Sequence, residues 1–118
     1  MKAVIRMDPN VELDVREPAD RVEGNPPSES HVVFRSEDGR LEAGVWTCEP
    51  GELRTYSTGK GYPHPDISIL IEGKLGVVDS ETGKEEMFGP GDVFVTPKGS
   101  KHTWVVYEKM KKIYMVLR

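Results

Sequence analysis

The chain has 118 residues, of which 36% are hydrophobic and 31% are charged, with 12 glycines and 9 prolines. This length suits one domain with a real core and is too short for two ordinary domains. The formal net charge of -4, without a concentrated basic stretch, argues against binding to nucleic-acid phosphates. A lone cysteine forms no intramolecular disulfide, the N-terminus lacks the apolar run of a signal peptide, and no stretch approaches a membrane span. We therefore expect a cytoplasmic protein that binds neither nucleic acid nor membrane.

Apolar residues alternate with polar residues along most of the chain, which is the period of β-strands. No segment has the apolar spacing of a helix of several turns. The alternating segments, in chain order, are Ala3–Met7, Val11–Val15, Leu41–Val45, Ile67–Ile71, Leu75–Val77 and Ile113–Leu117. The pattern predicts an all-β fold, in which each segment carries its apolar residues on one face.

Turn signals lie between these segments and favour antiparallel pairing of neighbouring strands. They are Asp38-Gly39, Pro50-Gly51, Asp79–Gly83 and Gly89–Asp92. Many short strands at this spacing are typical of a sandwich or a barrel, and closure removes exposed strand edges. We predict a barrel.

The segment from Glu17 to Ser30 is rich in proline and carboxylates and nearly free of apolar residues. It is interpreted as a long loop, which divides the chain into an N-terminal arm (residues 1–30) and a barrel domain (residues 31–118). An arm and open strand edges favour a homodimer, since a second copy can cover them. The cationic run Lys109–Lys112 is predicted to be a solvated turn, with Glu108 pairing at the surface.

The stretch from Gly91 to His102 has a distinctive spacing: a glycine, five residues, Pro-x-Gly, two residues and a histidine. A Gly-Asp turn starts a strand, Pro97 and Gly99 force a reversal, and the histidine opens the next strand. Alternation places three residues of that strand on one face: His102, Trp104 and Val106. An earlier stretch, Asp66–Gly73, has an acidic residue followed by six residues and a glycine.

These two stretches, in this order, resemble the second and first sequence motifs of the cupins. The resemblance extends from about residue 34 to residue 118, through Gly44-Val45-Trp46 and Pro50-Gly51 upstream and through Trp104, Glu108, Lys111 or Lys112, and Tyr114 downstream. This combination of residues is similar to that of small single-domain cupins related to ureidoglycine aminohydrolase and to the ethanolamine-utilisation cupin. The resemblance implies an all-β cupin fold, an RmlC-like jelly-roll barrel of antiparallel strands.

Metal-binding cupins mostly supply three histidines and a glutamate, and this chain departs from that pattern. Asp66 takes the place of the glutamate, while the His-x-His positions hold Lys60 and Tyr62 or, with longer spacing, glycines. The remaining candidate ligands are His64, Asp66 and His102, whose imidazole and carboxylate groups suit Zn, Mn, Fe or Ni. The alternative is structural: His102 is a satisfied interior histidine and Asp66 caps a turn.

Three aromatic residues are candidates for a ligand pocket: Trp46, Tyr62 and Trp104. The tryptophans are placed at the barrel mouth or in the core, and the tyrosine is a proton donor or an exposed loop residue. One hypothesis is a cupin that binds a small molecule. If this cupin is an enzyme, the resemblance implies a metal-dependent reaction on a small polar, nitrogenous metabolite. The other is a non-catalytic ligand sensor or structural dimer with a degenerate metal site. The sequence leaves open whether the chain is an enzyme.

Overall fold

The computed structural model describes residues 2–17 and 24–118, and their regular secondary structure consists of eight antiparallel strands. This confirms the all-β prediction. No helix in the described ranges is long and apolar enough to cross a membrane. The strands are β1 (Val15–Glu17), β2 (Ser28–Arg35), β3 (Leu41–Cys48), β4 (Gly51–Leu53), β5 (Asp66–Asp79), β6 (Glu85–Phe88), β7 (Val93–Thr96) and β8 (His102–Leu117).

Two long strands, β5 and β8, connect the two halves of the barrel. Residues 66–69 of β5 pair with β7, and residues 75–78 pair with β6. Residues 110–117 of β8 pair with β3, and residues 104–106 pair with β4. The β5–β8 register shifts three times between Leu70 and Leu75, and such bulges bend a sheet. The strands form one continuous eight-stranded sheet, and the bend in the two long strands folds its halves towards each other around an interior.

Gly73 lies at this bend, where its backbone has a φ of 99°. A Cβ atom at this position would lie 2.5 Å from the Lys109 carbonyl oxygen. The bend therefore requires a residue without a side chain, because both the dihedral angle and the close approach exclude one. This is the glycine that ends the first sequence motif.

In residues 66–70 of β5 and 112–116 of β8, the inward face is not the more apolar one. On β5, buried Asp66, Ser68 and Leu70 alternate with partly exposed residues, among them Ile67 and Ile69. The period-two prediction is correct for β5, but alternation alone does not say which face is inside. On β8, Ile113 and Met115 likewise face outward and are partly exposed.

The apolar core occupies only part of the interior. Its buried members are Cys48, Leu70, Leu75, Trp104, Val106 and Met110, with Trp46, Leu53, Val77, Phe88 and Phe94 packed against them. The indole rings of Trp46 and Trp104 meet edge to face at 5.8 Å between centroids, a favourable aromatic geometry. The remaining interior is lined by polar side chains and contains the cavity described below.

Two predictions about the connecting segments need correction. Lys109–Lys112 is not a solvated turn, because β8 continues through it and buries the side chain of Lys112. The predicted loop from 17 to 30 ends early, since β2 begins at Ser28, and residues 18–23 lie outside the described residues. Among the described residues before Ser28, β1 is the one strand, and it pairs with β2.

Candidate ligand pocket inside the barrel

A cavity of about 200 Å³ lies inside the barrel. A cavity of this volume accommodates a small organic molecule, since an engineered protein cavity of about 150 Å³ binds benzene. Its lining combines flat aromatic walls with ionisable groups, which is typical of sites for small organic ligands. The ionisable side chains are Tyr56, Tyr62, Asp66, His102, Lys112 and Tyr114, and the apolar ones include Trp46, Leu53, Trp104 and Val116.

Backbone hydrogen bonds between two loops bring three of these side chains together. The amide of Tyr62 donates to the Ser100 carbonyl at 2.9 Å, and the amide of Gly99 donates to the Tyr62 carbonyl at 2.7 Å. The amide of His102 donates to the Tyr56 carbonyl at 3.0 Å. Because β5 begins at Asp66 and β8 begins at His102, these bonds place Tyr62 beside both strand ends.

The Lys112 side chain occupies the interior, with only 4% of the residue exposed. Its Nζ donates a hydrogen bond to Ser68 Oγ at 3.0 Å and lies 3.9 Å from Asp66 Oδ2. The same nitrogen is 4.3 Å from the centre of the Trp104 ring and 5.0 Å from that of Trp46. The two indoles and the carboxylate together surround the amine with electron-rich groups.

The protonation state of Lys112 depends on the balance between burial and these neighbours. Burial lowers the pKa of Lys112 to about 8, and the negative charge of Asp66 opposes that shift. Desolvation disfavours the ammonium form, whereas a nearby carboxylate favours it. Both the charged and the neutral amine are therefore accessible near physiological pH.

Tyr62 and Asp66 form a short hydrogen bond. The phenol donates to Asp66 Oδ2 at 2.6 Å, and burial, followed by the Asp66 charge, raises the pKa of Tyr62 far above its usual value. The phenol therefore stays protonated. The other carboxylate oxygen, Asp66 Oδ1, is buried without a hydrogen-bond partner, and the same holds for Trp104 Nε1. Leaving such atoms unsatisfied costs about 1–3 kcal/mol each.

The imidazole of His102 packs among aromatic rings at the start of β8. Its Nδ1 is 3.0 Å from Ser100 Oγ, and its ring stacks on Trp104 with 5.9 Å between centroids. Burial, followed by the positive charge of Lys112, lowers the pKa of His102. The ring is therefore neutral at physiological pH, with one nitrogen engaged by a hydroxyl and the other available for a proton transfer.

Tyr114 connects the pocket to a charged cluster around Glu42. Its hydroxyl donates to Glu42 Oε2 at 3.2 Å, and the same carboxylate accepts hydrogen bonds from Arg35 and Arg118. Tyr114 pairs with Gly44 on β3, where a Cβ atom would come within 2.7 Å of the hydroxyl. A glycine at position 44 therefore makes room for the tyrosine.

Five of the six predicted site residues line this one cavity: Trp46, Tyr62, Asp66, His102 and Trp104. His64 is not among the lining residues and lies in the bend before β5. Its position between two prolines keeps it out of the strand ladder, because proline donates no backbone hydrogen bond. No three His, Cys, Asp or Glu side chains of residues 2–17 and 24–118 form a group that could hold a metal ion.

Sequence reasoning missed the roles of Lys112 and Tyr114, although a signal was present. Counting in steps of two from His102 through Trp104 leads to both residues, so one face of β8 carries all four. The counting stopped at Val106 because Glu108 and the lysines that follow suggested a surface turn. In the structure the strand continues, and positions 110, 112 and 114 are again buried.

The Lys112→Met substitution should alter the pH dependence of stability. Unfolded lysine has a pKa of about 10.4, whereas burial lowers the folded pKa of Lys112 to about 8. Between these values the unfolded chain binds more protons, so the folded state gains stability as the pH rises. We expect the unfolding free energy of the wild type, relative to the variant, to increase from about pH 7.5 to about pH 10. Unfolding in guanidinium chloride at each pH measures this free-energy difference. For the control Lys111→Met, we expect a difference in unfolding free energy from the wild type that does not change with pH. The same constant difference for Lys112→Met would contradict a buried amine with a lowered pKa.

The chain was compared with known families and structures. A family model described as the EutQ-like cupin domain matches residues 35–114. No curated protein matches the chain. The EutQ protein of Clostridium difficile superposes with a TM-score of 0.74 at 20% identity, covering 92% of this chain and 82% of that chain.

Two further solved structures are similar. The polyketide cyclase RemF of Streptomyces resistomycificus has a TM-score of 0.69 at 21% identity, covering 99% of this chain and 79% of that chain. A DUF861 family protein of Thermotoga maritima has a TM-score of 0.52 at 30% identity, covering 59% of this chain and 73% of that chain. These similarities confirm the cupin jelly-roll fold. Because the family match includes both sequence motifs and most of the chain, the chain belongs to the EutQ-like cupin family.

Proposed function

We propose that this cupin binds a small polar molecule in its barrel cavity and that the Lys112 amine acts where other cupins place a metal. The observation that carries the proposal is the position of Lys112 Nζ, which lies 3.9 Å from Asp66 Oδ2 and faces two indole rings. A buried lysine beside a carboxylate, inside a cavity, is a recognised mark of functional sites.

The residues of the pocket do not fit a divalent metal. Catalytic metal sites take three protein ligands or more, and the cavity offers only Asp66 and His102 as ligands of the usual kinds. An ion bound to Asp66 would also lie close to the Lys112 ammonium and be repelled by it. The predicted binding of Zn, Mn, Fe or Ni therefore finds no third ligand among the described residues that line the cavity, and the metal-content experiment below tests it.

The ligand is a compact molecule that presents both a hydrogen-bond acceptor and a donor. Lys112 supplies a donor and Trp104 Nε1 lacks an acceptor, whereas Asp66 Oδ1 lacks a donor. Small amides and ureides combine a carbonyl with N–H groups, which supports a nitrogenous ligand, and hydroxyketones combine a carbonyl with a hydroxyl. The indole walls complement either class through flat apolar contact.

A second candidate function is a non-catalytic sensor or structural dimer. The absence of the His-x-His pair, whose positions hold Lys60 and Tyr62, favours it. The neutral His102, the Tyr62–Asp66 pair and Lys112 favour catalysis, because together they can move protons to and from a bound molecule. Turnover of a bound compound would distinguish an enzyme from a sensor.

Small polar compounds should perturb both tryptophans of the cavity. We expect urea, acetamide or hydroxyacetone to shift the indole N–H signals of Trp46 and Trp104 in nitrogen-15 NMR spectra. The Lys112→Met substitution should weaken this binding about tenfold or more, since a hydrogen bond from a charged donor contributes about 1.5–3 kcal/mol. Lys111→Met, on the neighbouring position of the same strand, should leave binding unchanged. Absence of indole shifts with every compound would contradict the proposal.

Metal content tests the role given to Lys112. Protein purified without chelator or nickel affinity resin should contain far less than one transition-metal ion per chain, because the ammonium opposes a second cation. Elemental analysis of the wild type and of His102→Ala should give the same low value. Near-stoichiometric metal that is lost in His102→Ala would instead establish a metal site.

The outer face of the barrel supports a homodimer. Val93 and Val95 of β7 are 62% and 60% exposed and pair with Ile69 and Ile67 of β5. These isoleucines pair on their other side with Ile113 and Met115 of β8. Cross-strand partners share a face, so six uncharged apolar side chains form one continuous patch. We propose a second copy as its partner, since a two-fold axis places such a patch against itself.

Light scattering coupled to gel filtration tests this interface. The wild type should elute with twice the 13.2 kDa mass of one chain, and Val95→Glu should be monomeric because the interface would bury unpaired carboxylates. Met87→Glu, at an exposed apolar residue of β6 outside the patch, is the matched control and should stay dimeric. A monomeric wild type, or a dimeric Val95→Glu, would refute the interface.

A further inference from the structure

Lys112 differs from the other lysines in the described part of the chain. It is the one lysine among the buried polar residues of that part, and it lines the barrel cavity. A lysine amine becomes a nucleophile when a desolvated, apolar setting keeps part of it neutral. Lys112 has such a setting, because only 4% of the residue is exposed and it lines a cavity with apolar walls.

The hydrogen bonds of Lys112 suit a neutral amine as well as an ammonium. Its one hydrogen bond goes to the Ser68 hydroxyl, which can accept from an ammonium or donate to the lone pair of an amine. The nearest carboxylate oxygen, Asp66 Oδ2, is 3.9 Å away and already accepts the short bond from Tyr62. Lys112 is therefore not held in a tight ion pair that would fix its charge.

We propose that Lys112 forms a reversible imine with the carbonyl group of a small aldehyde or ketone bound in the cavity. This inference rests on the proposed ligand pocket and assigns to it a covalent step. A short hydroxyketone meets the steric limit of the cavity of about 200 Å³. Its hydroxyl would supply the donor that Asp66 Oδ1 lacks.

The step is balanced within the pocket. The Lys112 nitrogen attacks the carbonyl carbon, a C–N bond forms, and the carbonyl π electrons move to the oxygen. Asp66, whose Oδ2 is 3.9 Å from the nitrogen, takes one proton from it through a bridging water and returns that proton to the carbonyl-derived oxygen, giving a carbinolamine. The second nitrogen proton follows the same route as the C–O bond breaks. One water leaves, a C=N bond remains, and neither partner is oxidised or reduced.

Burial agrees with this role, because it lowers the pKa of Lys112 to about 8 and so leaves neutral amine available near neutral pH. The neutral imidazole of His102 lines the same cavity. It provides a second group for proton transfer to a bound molecule once the imine activates it.

Reductive trapping of the imine tests the inference. The 118-residue chain is incubated with hydroxyacetone, and separately with pyruvate, in the presence of sodium cyanoborohydride. The hydride reduces the imine to a stable secondary amine, which peptide mapping by mass spectrometry locates. We expect Lys112 to be labelled by at least one of the two compounds, at least tenfold faster than exposed lysines. Lys112→Arg should abolish the fast label, whereas Lys111→Arg should retain it.

The outcomes separate this inference from the proposed function. Fast labelling at Lys112 supports both the imine and the ligand pocket. Indole shifts from either compound without any label at Lys112 would overturn the imine and leave the ligand pocket standing. Slow labelling confined to exposed lysines, with no indole shifts, would overturn the inference, and the remaining compounds of the NMR experiment would then decide the proposed function by themselves.

Discussion

Burial of one amine inside the barrel places requirements on most of the surrounding structure. An isolated ammonium in an apolar interior is too costly to persist, so it must be compensated or give up its proton. Here Ser68, Asp66 and two indole rings surround the nitrogen of Lys112. The compensation is partial, because the carboxylate is 3.9 Å away, and the lowered pKa of Lys112 expresses the remaining cost. A group whose charge is so finely balanced is suited to chemistry.

Strand register delivers these groups to one place. Lys112 pairs with Trp46 on β3 and with Leu70 on β5, while Ser68 pairs with Tyr114 on β8. A slip of one residue would turn the lysine outward, since side chains alternate between faces. The bulges around Gly73 then bend β5 towards the other half of the barrel, so that one interior holds both the apolar core and the cavity. The same bend therefore encloses both the core that stabilises the barrel and the space for a ligand.

Membership of the EutQ-like cupin family fixes the scaffold but not the reaction. One barrel hosts many chemistries, so function has to be argued from the residues of the site. Asp66 and His102 stand where the sequence motifs place them, and both line the cavity. The third ionisable group beside them is the amine of Lys112, which lies 3.9 Å from Asp66 Oδ2. We therefore regard the pocket as a cupin site built around an organic cation.

The sequence by itself determined the strand period, the turns and the two cupin motifs, because alternation and glycine or proline spacing are local properties. It also identified five pocket residues, since Asp66, His102 and Trp104 belong to or directly follow the motifs. Only the tertiary structure decided which face of each strand is inside, because that depends on how the sheet bends around the core. The neighbours of Lys112 in the sequence have the composition of a surface turn, but β8 continues through them and buries the lysine in the barrel. His64, in contrast, is not among the residues that line the cavity.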